Sequence, residues 1–202
     1  MADKTVIPIY FDYASTLCYV AWRIITQIEA ELPIEPWWKG VPIRLRDHRA
    51  KGGRDLQPAE RQKVLLVAAE TGIPVVPPNR WLDSDAALQG AELAREAGAF
   101  GVYHDAVFRA AFEERLDIGE LELLGDIAQR LGLDRAQFLA DLRDQRMAAR
   151  IEANRREADD FSALGYPTFM LGDFPLIGIQ PIETMRLLIR RFIDQRAGDP
   201  GV

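Results

Sequence analysis

Asp12-Tyr13-Ala14-Ser15-Thr16-Leu17-Cys18-Tyr19 is the stretch of this 202-residue sequence that decides the fold. It follows an apolar run at 6–11 that is typical of a buried strand, and it leads into a helix-like stretch at 19–25. Thiol-redox proteins place their Cys-x-x-Cys pair at such a position, between a strand and the first turn of a helix. The first position of that spacing is Ser15 here, and Cys18 is the only cysteine, so the motif cannot close a disulfide within itself.

The helix N-terminus gives this motif two interpretations. Free N–H groups and the helix dipole stabilise an anion there, which would favour a thiolate of Cys18 or of a bound ligand. In the other interpretation, Ser15 only caps the helix through its hydroxyl, and Cys18 is a small buried apolar residue. The sequence leaves both open.

The composition suits one globular core. The chain is 48% hydrophobic and 28% charged, which is enough for one sizeable core with an inserted subdomain. Its formal net charge is −6. Phosphate binding needs clustered Lys and Arg, and we interpret the densest basic runs, at 44–49 and 190–191, as solvated surface. We therefore expect no nucleic-acid partner.

The sequence has no visible targeting or membrane segment. Residues 1–4 lead directly into the first strand pattern, without the cationic and apolar regions of a secretory signal. No run approaches the roughly 18 apolar residues that a membrane span needs, and a single cysteine excludes an internal disulfide framework. We expect a cytoplasmic protein without a membrane partner.

Metal and phosphate motifs are missing from the sequence. It has no His-x-x-x-His pair and no Cys/His cluster, so we expect no metal site and no bound cofactor. It also has no glycine-rich phosphate loop. His104 stands in a helix pattern beside Tyr103 and Asp105, and we interpret it as structural or exposed.

Hydrophobic periodicity predicts strands near both ends of the chain and helices between them. The predicted strands span 5–11, 34–45, 168–171 and 175–177, the last two joined by a turn at Gly172-Asp173. The predicted helices span 19–32, 58–70, a segment ending at 97, 100–114, 119–131, 135–143, 146–161 and 182–195. The order β-α-β, several helices, then α-β-β-α predicts an α/β fold with one mixed sheet and an inserted helical block.

A second segment, Gly165-Tyr166-Pro167-Thr168-Phe169, opens the third predicted strand. A proline here is either an ordinary strand opener or a cis-proline, which exposes the backbone of the preceding residue for pairing with an extended ligand. The turn Gly178-Ile179-Gln180-Pro181 before the last helix is the third segment of interest, and it borders the same predicted strands.

Together these segments resemble the DsbA-like branch of the thioredoxin superfamily. Its members carry an Asp-(aromatic)-x-Cys-Pro-x-Cys-(aromatic) segment and a Gly-Val-Pro-Thr-Phe cis-proline loop. Asn79, the segment at 108–118 and the turn at 178–181 are similar to FrnE-like members. The resemblance implies a thioredoxin-like domain made of 1–57 and 151–202, interrupted by a helical insertion at 58–150.

The resemblance also implies the site residues. The family's attacking cysteine corresponds to Ser15, and its second cysteine to Cys18, so these are the implied catalytic residues. A serine at the first position is similar to kappa-class glutathione transferases and 2-hydroxychromene-2-carboxylate isomerases, where the serine hydroxyl bonds the thiolate of glutathione. The residues implied to bind substrate or glutathione are Tyr13, Asn79, Tyr166, Pro167, Thr168 and Gln180. That branch usually has a Gly-x-Asp turn, whereas Gln180 stands here.

Three functions follow as hypotheses. The first is a thiol oxidoreductase-like protein with a degenerate Ser-x-x-Cys site, either monothiol or glutathione-linked. The second is a glutathione-dependent transferase or isomerase that uses Ser15, and the third is a non-catalytic peptide-binding module. The expected partner is a small thiol or a protein thiol, with glutathione as a co-substrate, and the chain is a candidate homodimer.

Overall fold

The computed structural model describes residues 4–44, 52–161 and 165–198. Four strands form one mixed sheet in the order β2-β1-β3-β4. β1 pairs with β2 in parallel, while β3 pairs antiparallel with both β1 and β4. The strands are β1 Thr5–Phe11, β2 Ile34–Gly40, β3 Thr168–Leu171 and β4 Phe174–Ile177.

Helices account for most of the remaining chain. The helix α1, Thr16–Glu29, crosses from β1 to its parallel neighbour, as a parallel pair requires. The other helices are α2 Pro58–Thr71, α3 Asp85–Glu96, α4 Phe100–Phe112, α5 Leu121–Arg130, α6 Arg135–Arg143, α7 Ala148–Asp160 and α8 Ile182–Gly198. This mixed sheet with its large helical segment confirms the predicted α/β, thioredoxin-like fold class.

Most predicted elements differ from the structure by one or more residues at a boundary. Helix α1 begins at Thr16, three residues before the predicted start at 19, because Ser15 caps it. Strand β2 ends at Gly40, since Pro42 offers no N–H to continue the ladder. Residues 41–44 of the predicted strand lie beyond the end of β2, and Leu45 lies outside the described residues. Helix α5 begins at Leu121 instead of residue 119.

The core extends from the sheet into the helical segment. One cluster of buried apolar side chains contains members of β1, α1, α4 and β3, among them Ile9, Tyr19, Phe108 and Phe169. The division into 1–57 plus 151–202 and 58–150 stays a prediction. No helix among the described residues is long and apolar enough to cross a membrane.

The two basic runs can be followed only in part. Of residues 44–49 the structure describes Arg44, whose guanidinium lies 2.6 Å from the Asp85 carboxylate, and the others lie outside the described residues. Arg190 and Arg191 are exposed on α8.

Candidate functional site

Ser15 lies at the N-terminus of α1, where it is half-buried. Its extended backbone (φ −98°, ψ 118°) makes it the N-cap, and its Oγ accepts a hydrogen bond from the backbone N–H of Cys18 at 3.3 Å. The hydroxyl proton takes no part in that bond and can be directed to the Cys18 sulfur or to another acceptor. The first turn of α1 carries no acidic residue, so the positive end of the helix dipole is not neutralised within the helix.

Cys18 lies three residues further on, and its side chain is turned into the core. Its exposed fraction is 0%, and the backbone N–H of Asp12 approaches Sγ at 3.5 Å. Burial raises the pKa of the thiol to about 12, outweighing the hydrogen bonds from Ser15 and Asp12 that lower it. Cys18 is therefore a neutral thiol at neutral pH, without access to solvent.

Asp12 ties the motif to two other segments, and its role was not assigned from the sequence. Its carboxylate is fully buried; Oδ1 accepts from Ala14 N at 2.8 Å, and Oδ2 accepts from Ile43 N. Burial raises the pKa of this carboxyl, while hydrogen bonds from Ala14, the Ser84 side chain and Ile43 oppose the rise. The loop after β1 is thus joined to the segment after β2 and to the start of α3.

The Tyr13 side chain points away from Ser15, into the core beneath α4. It is fully buried, and its hydroxyl oxygen lies 2.8 Å from His104 Nδ1. Its ring contacts Phe11 edge-on at 5.0 Å between centroids and Phe108 at 4.9 Å. The structure therefore places the Tyr13 side chain behind the loop, away from the surface that Ser15 faces, and His104 in the core.

The Tyr166–Pro167 peptide bond is cis, and it lies at the same end of the sheet as Ser15. The register pairs Tyr10 with Thr168, which brings Pro167 opposite the end of β1. Thr168 is buried, and its Oγ1 donates to the Gly165 carbonyl at 2.5 Å.

Tyr166 is half-buried, and burial raises the pKa of its hydroxyl to about 12, with smaller contributions from the charges of Asp159 and Asp12. Within the described ranges no residue hydrogen-bonds the backbone N–H or C=O of Tyr166. By contrast, the Pro167 carbonyl accepts from Gly178 N at 2.7 Å. Among the residues that the structure describes, the unpaired backbone edge beside the motif is therefore that of Tyr166.

The other two predicted binding residues are on the surface. Asn79 is exposed, and its main-chain carbonyl accepts from Leu56 N at 3.1 Å and from the Arg61 guanidinium at 3.0 Å. Gln180 is exposed in the turn that follows Gly178, whose φ of 82° is in the left-handed region. Through the Gly178–Pro167 hydrogen bond this turn is joined to the cis-proline loop.

A cavity of about 550 Å³ opens beside Ser15. The start of α1 forms one side, and α2 with the 78–82 segment forms the other. Its apolar wall consists of Leu17, Leu56, Val64, Val67, Leu82 and Phe112. The one acidic side chain among its described lining residues, Glu60, is paired with Arg54 at 2.8 Å. The predicted site residues thus divide between this open side, where Ser15 lies, and the core, which holds Cys18 and Tyr13.

Solved structures with the same fold cover nearly the whole chain. A probable DsbA oxidoreductase from Streptomyces coelicolor superposes with a TM-score of 0.78, at 25% identity over 95% of this chain and 91% of the other. A 2-hydroxychromene-2-carboxylate isomerase has a TM-score of 0.76, at 20% identity over 96% of this chain and 98% of the other. The cytosolic disulfide reductase DsbM from Pseudomonas aeruginosa, in a structure with GSH, has a TM-score of 0.72, at 16% identity over 94% and 99% of the two chains.

A comparison with family models shows that the sequence, as well as the fold, resembles a known family. The model for the DSBA-like thioredoxin domain matches residues 6–190. That range contains the Ser15 motif, the helical segment, the cis-proline loop and most of α8. The chain belongs to the family of DSBA-like thioredoxin domains.

Proposed function

We propose that this protein is a glutathione-dependent enzyme of transferase or isomerase type, in which the Ser15 hydroxyl holds the thiolate of bound glutathione. One observation carries the proposal. The half-buried Ser15 borders the 550 Å³ cavity, whereas the only cysteine has an exposed fraction of 0%. The residue with access to a ligand is the serine.

The start of α1 suits a sulfur anion. The Ser15 Oγ already accepts from Cys18 N, so the hydroxyl proton can be donated to a ligand. A hydrogen bond from a hydroxyl to an anion is about twice as strong as one between neutral groups. The N-terminus of α1, whose first turn carries no acidic residue, adds a favourable electrostatic contribution. Both effects lower the pKa of a thiol bound there and favour its nucleophilic form.

The burial of Cys18 argues against a monothiol mechanism. A thiolate is the attacking species in disulfide exchange, and a pKa of about 12 leaves almost none at neutral pH. A disulfide within the motif would need a second cysteine at position 15. We therefore favour glutathione binding without disulfide chemistry at Cys18.

Tyr166 and the cavity suit the glutathione backbone and a second substrate, respectively. The open N–H and C=O of Tyr166 can pair with the cysteinyl backbone of glutathione, as a neighbouring strand would. The cavity has the size and the apolar lining of a small-molecule site, and it would take the second substrate. Two proteins with the same fold support this assignment, since one is a 2-hydroxychromene-2-carboxylate isomerase and the other was solved with GSH.

Isothermal titration calorimetry with glutathione tests the proposal. We expect saturable binding to the native protein, about tenfold weaker or more in Ser15→Ala, because a hydrogen bond to a charged group contributes about 1.5–3 kcal/mol. Ser15→Thr keeps the hydroxyl and should retain most of the affinity. Cys18→Ala should bind as the native protein does.

A second cap provides the matched control. Asp134 caps α6 by accepting from Gln137 N at 3.0 Å, so Asp134→Ala removes a helix cap without touching the site. Its glutathione affinity should equal that of the native protein. The proposal fails if millimolar glutathione does not bind, or if Ser15→Ala binds glutathione as tightly as the native protein.

A further inference from the structure

Among the described residues, the His104 side chain makes one polar contact, and that contact is to the motif loop. Its Nδ1 lies 2.8 Å from the Tyr13 hydroxyl, while Nε2 is buried and has no hydrogen-bond partner in the part of the chain that the structure describes. Both residues have an exposed fraction of 0%. The rings around the imidazole lie at centroid distances of 4.5–5.2 Å and belong to Phe11, Tyr13, Trp22, Trp38, Phe100 and Phe108.

Burying the polar Tyr13–His104 pair among aromatic rings costs free energy of folding. Burying an imidazole with one nitrogen unbonded costs desolvation free energy that a single hydrogen bond does not fully recover. Replacing both partners of a buried hydrogen bond by apolar groups of the same shape is often neutral for stability. A phenylalanine pair at 13 and 104 would fill the same space, so folding stability alone does not explain the polar pair.

The position of Tyr13 in the loop suggests what the pair does. Tyr13 lies inside the turn in which Ser15 N donates to Asp12 O at 3.1 Å. The Asp12 carboxylate holds one side of this turn through Ala14 and Ile43. On the core side of the turn, contacts between aromatic rings alone would not fix the position of the Tyr13 side chain. The directional hydrogen bond to His104 fixes how far that side chain enters the core.

We propose that His104 is a positioning residue, which acts through the Tyr13 hydroxyl to hold Ser15 in register with the first turn of α1. It touches no ligand itself. The inference rests on the proposed role of Ser15 as the residue that faces the ligand thiolate. Its test uses no glutathione, so a failure of glutathione binding would not decide it.

A reporter thiol at position 15 measures the register directly. In a Ser15→Cys/Cys18→Ala parent, the pKa of the new thiol reports its alignment with the N–H groups of α1, which depress it. We expect Tyr13→Phe/His104→Phe, added to this parent, to raise that pKa by about one unit. The urea midpoint of unfolding should stay close to that of the parent, because both partners become apolar together.

Two further variants separate positioning from stability. His104→Asn keeps a polar group near the place of Nδ1, so it should lower the urea midpoint yet retain the depressed thiol pKa. Tyr103→Phe removes a buried hydroxyl on the same helix, which faces Ala87 O at 3.5 Å, and should leave the thiol pKa unchanged. The inference is overturned if the double phenylalanine variant has the same thiol pKa as the parent, or if Tyr103→Phe shifts the pKa equally.

Discussion

At the scale of single residues, the site depends on two side chains three positions apart that face opposite ways. Ser15 is the N-cap of α1, and Cys18 turns into the core from the first turn. The sequence could place both residues at a helix N-terminus, but both interpretations of the motif remained open. Burial shows that the thiol of Cys18 lies in the core, as in the second interpretation, while the binding of a ligand thiolate by Ser15 stays a proposal. The burial of Cys18 results from packing by distant segments.

The Tyr13–His104 contact shows the same limit of sequence reasoning. The two residues are 91 positions apart. The sequence assigned Tyr13 to ligand binding by resemblance, and it offered no signal that joins Tyr13 to α4. Asp12 was quoted in the motif, yet its buried bonds to Ala14 and Ile43 depend on the segment after β2, which periodicity does not position.

His104 should make the native protein sensitive to acid. Burial, with a smaller contribution from Arg95, holds the pKa of His104 well below 6.5. Below pH 6.5, His104 takes up a proton in the unfolded chain but stays neutral in the folded chain. The contribution of neutral His104 to the free energy of unfolding is therefore present above pH 6.5 and is lost as the pH falls. The loss approaches about 1.4 kcal/mol per pH unit, or about 2 kcal/mol between pH 7.5 and pH 5.0.

Urea unfolding at pH 7.5 and pH 5.0 measures this effect. Since burial also raises the pKa of the Asp12 carboxyl, the informative quantity is the difference between the native protein and Tyr13→Phe/His104→Phe. The variant should lose about 2 kcal/mol less on acidification. Equal losses in both proteins would show that His104 is not held neutral.

At the scale of elements, the sequence predicted each helix and strand, with bounds that local chemistry then shifted. The hydrophobic run at 5–11 matches β1 at both ends. The start of α1 was placed late because apolar spacing begins at Tyr19, whereas the helix begins where Ser15 caps it. Helix α2 begins after Gln57, which forms a capping box with Glu60, and Pro58 suits its first position.

Close approach of helices at Gly90 gives a prediction about packing. A Cβ at Gly90 in α3 would meet the Tyr103 hydroxyl and lie 2.9 Å from Phe138 Cζ. Overpacking against two buried rings should cost about 3 kcal/mol, which exceeds the roughly 1 kcal/mol that alanine gains over glycine in a helix. We expect Gly90→Ala to lower the free energy of unfolding by about 2 kcal/mol, measured by urea denaturation.

Gly101 in α4 supplies the control for that prediction. A Cβ there has no heavy atom of the described residues within 4 Å. The helix-propensity gain should then stand alone, so Gly101→Ala should stabilise by up to about 1 kcal/mol. Stabilisation by Gly90→Ala as well would mean that α3, α4 and α6 pack less closely than described.

At the scale of the whole molecule, segments from both ends of the chain build one sheet. The order of predicted elements was enough to infer a mixed sheet, and the ordered motifs were enough to indicate the family that the comparison with known proteins confirms. The strand register could not be inferred, because it depends on the pairing of β1 with β3, which are far apart in the sequence. The cavity beside Ser15 could not be inferred either, because it depends on how α2 and the 78–82 segment pack. The cytoplasmic location and the homodimer stay predictions.

The central claim concerns one contact, between a ligand sulfur and the Ser15 hydroxyl. A crystal structure of the native protein grown with millimolar reduced glutathione measures it most directly. We expect the glutathione sulfur within hydrogen-bonding distance of Ser15 Oγ, the cysteinyl backbone paired with Tyr166, and Cys18 unmodified in the core. A mixed disulfide between glutathione and Cys18, or glutathione bound away from Ser15, would contradict the account.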